Sequence, residues 1–190
     1  MFNRAPSEPN RRPRPAAARA WLRVLACALA LLAPSALAPS ALALPADRDQ
    51  PIQIQADWAE LDERKGTATY GGDVRMTQGT MLVQAERLVI HTDGDKVVKI
   101  VADGKPAAPA RYQQQPRADQ PVIQASAQHI TYVTADQRIE LRGAAQLTQK
   151  NNQFKGALIE YSIARELVTA NGTAAPGGRV SVTFDPNQRR

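Results

Sequence analysis

Apolar and polar residues alternate with period two through much of residues 52–184, and turn-forming sequence interrupts the alternation every few residues. Residues 52–56 read IQIQA, the strict alternation of a half-buried strand. In residues 68–90, ATYGGDVRMTQGTMLVQAERLVI, two such runs flank Gln78-Gly79-Thr80. The pattern returns 71 residues later, at 139–161, as IELRGAAQLTQKNNQFKGALIEY. Ala68, Tyr70, Val74 and Met76 correspond to Ile139, Leu141, Ala145 and Leu147, while Gly72 and Gln78 correspond to Gly143 and Gln149. After the turn, Val83, Ala85, Leu88 and Ile90 correspond to Phe154, Gly156, Ile159 and Tyr161. A fixed offset that keeps both apolar phase and turn position marks a repeated supersecondary unit.

The same reading predicts strands at 52–56, 58–61 (with a bulge where the phase slips), 67–77, 81–90, 97–102 and about 110–114. Further strands are expected at 122–127, 129–134, 138–142, 144–149, 153–163, 167–170 and 179–184. Asp93-Gly94 suits a tight hairpin, and the Pro-, Gln- and Arg-rich residues 107–120 are the least regular part. No stretch after residue 44 sustains the i, i+3, i+4 spacing of an amphipathic helix over three turns. Residues 83–90 come nearest, but their counterpart 154–161 alternates with period two. The expected class is all-β: a twisted antiparallel β-jelly roll built from many short strands with an internal repeat.

The N-terminus changes the picture. Residues 1–23 carry six arginines against one acid, residues 24–33 (VLACALALLA) are apolar, and two small-x-small sites follow. That order is the pattern of a cleaved secretory signal over 1–43, with cleavage between Ala43 and Leu44 because Pro39 follows the alternative site at Ala38. A membrane anchor would need roughly 20 apolar residues, and Pro34, Ser35, Pro39 and Ser40 interrupt any such span. Cys27 precedes the bulk of the apolar run, unlike a lipoprotein cysteine, and Arg11-Arg12 lacks the surroundings of a twin-arginine signal. Without residues 1–43 the 24 basic and 18 acidic residues become 18 and 17, so the net charge falls from +6 to +1. The high pI then belongs to the targeting segment, and no nucleic-acid partner is expected. The sole cysteine leaves too, which suits an oxidising compartment. The expected organisation is one domain over 44–185 and a flexible tail at 186–190.

Laid out in order, QPIQIQAD at 50–57, AELD at 59–62, YGGDVRMTQGTMLVQAERLVI at 70–90, DGKPA at 103–107 and LRGAAQLTQKNNQFKGALIEY at 141–161 give the chain its likeness. It resembles the OstA-like (LptA) family of periplasmic lipopolysaccharide-transport bridge proteins. The resemblance implies a jelly roll open along one side, periplasmic localisation, and an interior that receives the acyl chains of lipopolysaccharide. It further implies head-to-tail self-association through terminal strands, with same-fold partners at the inner membrane (LptC-like) and outer membrane (LptD-like). Extra residues around 107–112 and a short C-terminal tail depart from the family pattern.

The candidate lipid-binding groove is the apolar face: Ile52, Ile54, Tyr70, Val74, Met76, Val83, Leu88, Ile90, Ile100, Ile130, Tyr132, Ile139, Leu141, Leu147, Phe154, Ile159 and Tyr161. Small or linear residues at inward positions, Ala56, Ala68, Ala85 and Ala145 with Met76 and Met81, leave room for a flexible ligand. Arg75, Arg87, Lys99, Lys105, Arg111 and Lys155 are candidates for an anionic head group, and 52–56 and 180–184 are proline-free edges able to pair with another chain. Catalytic residues are not expected: His91 and His129 have no HExxH, GxSxG or cysteine partner. Asp57, Glu60, Asp62 and Glu63 match no calcium loop, so neither metal nor cofactor is anticipated. The competing readings are a β-sandwich interaction module whose apolar face is solid core, and a membrane-anchored LptC-like member of the same pathway.

Overall fold

The computed structural model describes residues 47–172 and 178–184. The expected signal with its Ala43–Leu44 cleavage site, and the tail at 186–190, lie outside these residues. Among the described residues, a 3-10 turn at Asp47–Asp49 precedes twelve strands. These are β1 (Gln53–Gln55), β2 (Trp58–Asp62), β3 (Thr67–Gln78), β4 (Met81–Asp93), β5 (Lys96–Asp103) and β6 (Ala110–Gln114). β7 (Ile123–Ala127), β8 (His129–Val133), β9 (Arg138–Gln149), β10 (Asn152–Ser162), β11 (Leu167–Asn171) and β12 (Ser181–Thr183) complete the set. Every pairing between them is antiparallel, as the all-β reading requires.

The long strands change partners halfway. β3 pairs with β2 up to Gly71 and with β1 from Arg75. β4 pairs with β6 through Gln84 and with β5 from Arg87. β9 pairs with β8 up to Arg142 and with β7 from Gln146, and β10 passes from β12 to β11 between Lys155 and Leu158. One layer therefore runs β1-β3-β4-β6-β7-β9-β10-β12 and the other β2-β3-β4-β5-β8-β9-β10-β11. They share the four long strands, whose bends form a spine, and they face each other across a common core. Tyr112 of the first layer and Tyr132 of the second bring their rings to 6.2 Å. On the side away from the spine both layers end in turns, and among the described residues no backbone ladder joins the two rims. This is a jelly roll open along one side.

The repeat extends into backbone geometry. Left-handed φ occurs at Gly66, Gly72, Asp73 and Gly79, and again 71 residues on at Gln137, Gly143, Ala144 and Lys150. Asp57 N–H donates to the Gly72 carbonyl at 3.1 Å, and its counterpart Gln128 donates to Gly143 at 2.9 Å. Gly72-Asp73 and Gly143-Ala144 are bulges, and each is the point where a long strand leaves one layer for the other. Residues 138–142 and 144–149 are accordingly one bulged strand, not two. The phase slip at 58–61 is likewise a passage between layers at Ala56-Asp57, with no bulge inside β2, and it leaves Ala56 exposed instead of inward.

Candidate functional site

The inner faces meet as rows of apolar side chains running along the roll, perpendicular to the strands. In the first layer the row is Ile54, Met76, Val83, Tyr112, Ala125, Leu147, Phe154 and Val182, each paired with the next across a strand boundary. The second layer carries Leu61, Ala68, Ile90, Ile100, Tyr132, Ile139, Tyr161 and Val168. Beside it lies Ala59, Tyr70, Leu88, Ala102, Ile130, Leu141, Ile159 and Ala170. Each row crosses all eight strands of its layer without a polar interruption. It arises because strand alternation aims every second residue inward and the antiparallel register aligns those residues.

All seventeen groove candidates belong to this face. Val74, Met76, Val83, Leu88, Ile90, Ile100, Ile130, Ile139, Leu141, Leu147, Ile159 and Tyr161 are buried, and Ile52, Ile54, Tyr70, Tyr132 and Phe154 pack against them half-buried. Sequence reasoning left out Tyr112, Ile123, Ala102, Ala110, Ala127 and Ile163, which are also buried there. Tyr112 lies within the irregular 107–120 stretch and Ile123 just beyond it, where period two is too short to set a phase. Burial of side chains such as Leu88 and Leu147 contributes roughly 1.5–3 kcal/mol apiece. Ala102, Ala110, Ala125 and Ala145 keep the wall thin between them.

Polar groups gather at the rim of the first layer. The Asp47 carboxylate accepts from Thr80 N–H at 2.6 Å, from the Thr80 hydroxyl at 2.7 Å and from Gln114 Nε2 at 2.6 Å. Gln114 in turn receives the Tyr112 hydroxyl, and Gln78 Nε2 donates to the Gln50 carbonyl at 3.0 Å. The residues preceding β1 are thereby strapped over the β3–β4 turn. Burial pushes the Tyr112 phenol well above its ordinary pKa and raises that of Tyr132, so both stay neutral hydroxyls at physiological pH.

The head-group candidates do not converge on the open side. Arg75, Arg111 and Lys155 share the outward row of the first layer with Gln84, Ser126 and Gln146. Arg111 lines a polar cavity of about 350 Å³ there. Arg87 lies 3.8 Å from Asp103 and Lys105 2.8 Å from Glu86, which neutralises both. His129 Nδ1 hydrogen-bonds Asp103, and His91 stands opposite Lys99, where burial first and the lysine second lower its pKa. Asp62 pairs with Lys65 at 2.8 Å, and among the described residues no three His, Cys, Asp or Glu side chains converge as a metal site.

The ends of the roll carry most of its exposed apolar bulk. Trp58 and Leu61 on β2, Leu167 on β11, Val182 on β12 and Phe184 beyond it are between 41 and 68% exposed. Sequence reasoning identified one edge strand at each end. The structure has two, β1 with β2 and β11 with β12, because each end terminates both layers.

Comparison with known proteins agrees with this architecture. Residues 53–167 match the family described as LptA/(LptD N-terminal domain) LPS transport protein. The lipopolysaccharide export system protein LptH of Pseudomonas aeruginosa is 36% identical over 155 residues, covering 78% of this chain and 87% of that protein. LptA of Escherichia coli K12 is 34% identical over 160 residues, covering 83% and 84%. The crystal structure of P. aeruginosa LptH, described as the LptA-homologous periplasmic component of the lipopolysaccharide transport device, superposes with a TM-score of 0.66. That match has 34% identity and covers 75% of this chain and all of that one. With its apolar rows, its doubled edges and these relatives in view, the chain belongs to the LptA/LptD N-terminal-domain family of lipopolysaccharide-transport proteins.

Proposed function

We propose that the protein is a non-enzymatic periplasmic carrier that takes the acyl chains of lipopolysaccharide between its two layers and stacks head to tail as part of a bridge from inner to outer membrane. The continuous apolar rows carry this reading. An acyl chain entering between the layers exchanges side-chain contacts for contacts with methylenes, each worth about 0.8 kcal/mol. Translation along a row replaces one contact by an equivalent one, so tight total binding coexists with movement. Nothing among the described residues suggests an energy source, and a driving force has to come from a partner.

The internal repeat supports a specific stacking geometry. Within the chain, the first unit joins the second by pairing β6 with β7 and β5 with β8. β12 meets β10 as β6 meets β4, and β11 meets β10 as β5 meets β4. At the other end, β1 and β2 pair with β3 as β7 and β8 pair with β9. Repeating the internal junction between two molecules pairs β12 with the next copy's β1, Val182 opposite Ile54. It also pairs β11 with β2, Val168 opposite Leu61. All three apolar rows then run on uninterrupted, and the exposed end residues become buried by strand addition. Partners of the same fold at either membrane would use the same two edges.

A cysteine pair tests the register, since residues 44–190 contain no cysteine. Ile54→Cys with Val182→Cys should give a ladder of disulfide-linked oligomers on mild oxidation, while Gln53→Cys with Val182→Cys, one residue out of register, should give far less. Equal ladders, or none from the first pair, would contradict the stacking.

A further inference from the structure

The slit between the rims is bridged over the second unit by a small set of side chains. The β6–β7 loop projects from the first layer toward the β10–β11 turn of the second. Arg117 Nη2 of the loop lies 3.7 Å from Glu166 Oε1 of the turn, and Gln120 Nε2 donates to the same oxygen. Both supports are firm. Gln115 Nε2 donates to the Ala118 and Gln120 carbonyls at 3.3 and 3.1 Å, and Gln115 N–H to the Thr80 hydroxyl at 3.1 Å. On the other rim, Ile163 N–H donates to the Gln137 carbonyl at 2.9 Å, and Glu166 is held in the left-handed region at φ 53°. Two preformed supports therefore meet through one carboxylate.

We propose that Glu166 stands in for an anionic head group at Arg117, and that a phosphate of the cargo displaces it and opens the slit. This rests on the carrier reading above. An amphiphile with its chains between the layers must pass its head group out through the slit, which the Arg117–Glu166 bridge spans beside the hydrogen bond from Gln149 Nε2 to the Tyr161 hydroxyl at 3.1 Å. The bridge is exposed, with side chains 63 and 56% accessible, so water and salt screen it and it yields readily. A phosphate monoester offers the guanidinium more charge and a better bidentate geometry than one carboxylate oxygen at 3.7 Å. Asp119 lies 3.3 Å from Arg117 Nε in a pair as exposed as the one to Glu166. Arg165 of the same turn lines a cavity of about 320 Å³ beside the opening, together with Asp136 and with Arg138, which is itself paired with Asp136 at 3.9 Å and Glu160 at 3.6 Å. The Arg117 position thus selects for phosphorylated amphiphiles, whereas the apolar rows bind any chain of the right width.

The test compares loading of bisphosphorylated lipid A and its enzymatically dephosphorylated form, delivered from detergent, into residues 44–190. Labelling is read from a photo-reactive residue at Tyr132. The unaltered protein is expected to load the phosphorylated lipid roughly five-fold faster, the scale of an exposed ion pair. Glu166→Gln should raise the rate for the dephosphorylated lipid toward that of the phosphorylated one. Arg117→Gln should abolish the preference and load the phosphorylated lipid more slowly than Glu166→Gln does. An unchanged ratio across the three proteins, all of which load lipid, overturns the head-group site and leaves the carrier intact. Failure of every protein to load either lipid overturns both.

Discussion

Replacing Leu141 with alanine is expected to lower the unfolding free energy by about 3 kcal/mol, within the 2–5 kcal/mol range of large-to-small core substitutions. Leu141 is fully buried, and it stands between Ile130 and Ile159 in its row. Both neighbours are β-branched and stiff about χ1, so they close the vacated volume poorly. The loss is a large share of the 5–15 kcal/mol that stabilises a typical domain. Urea denaturation followed by circular dichroism measures it, with a lower midpoint and an unchanged slope expected. Because the same substitution widens the space between the layers, it should leave lipid loading intact under conditions where the protein stays folded.

Gly72→Val is expected to be at least as damaging, through the backbone instead of the core. Gly72 has φ 78°, and a Cβ there would fall 2.1 Å from Asp57 Oδ2 and 2.7 Å from Asp57 Cβ. A left-handed conformation costs an L-residue about 1–2 kcal/mol, more for a β-branched one, and the clash adds to it. Gly72 is where β3 leaves β2 for β1, so relaxing it also loosens the Asp57 hydrogen bonds that fix the bend. Gly143→Val at the equivalent bend should behave alike but less severely, since the approaches there are longer, 2.6 Å to Gln128 Oε1 and 3.0 Å to Gln128 Cβ. A thermal melt of the two variants side by side gives the comparison; Gly72→Val melting at the native temperature would refute the account of the spine.

Much of this architecture was legible in the chain. The period-two phase placed all seventeen groove candidates on the inner apolar face, because alternation in a strand leaves a side chain only two directions to take. The offset of 71 residues identified the structural unit before any pairing was known. What alternation could not express is partner exchange. Nothing local in 138–149 distinguishes two strands from one that bends through Gly143-Ala144, since the bend is defined by which strands lie alongside. The same holds for Ala56, whose inward phase is lost because the chain crosses between layers beside it. Tyr112 and Ile123 were missed where proline and glutamine break the alternation. The Arg117–Glu166 bridge joins two loops far apart in sequence, and neither carries a pattern pointing to the other.

The central claim is that the space between the layers holds acyl chains, and labelling from inside and outside the roll tests it most directly. A photo-reactive residue is placed at Ile54, at Tyr132 or at the exposed Gln53, and the protein is irradiated in cells that export lipopolysaccharide. Ile54 and Tyr132 are half-buried members of two different apolar rows, so a probe at either reaches the interior without a core substitution. The account predicts lipopolysaccharide adducts from Ile54 and Tyr132 and little from Gln53. Adducts from Gln53 alone, or none from the two inward positions, would mean that the apolar face is solid core, and would contradict it.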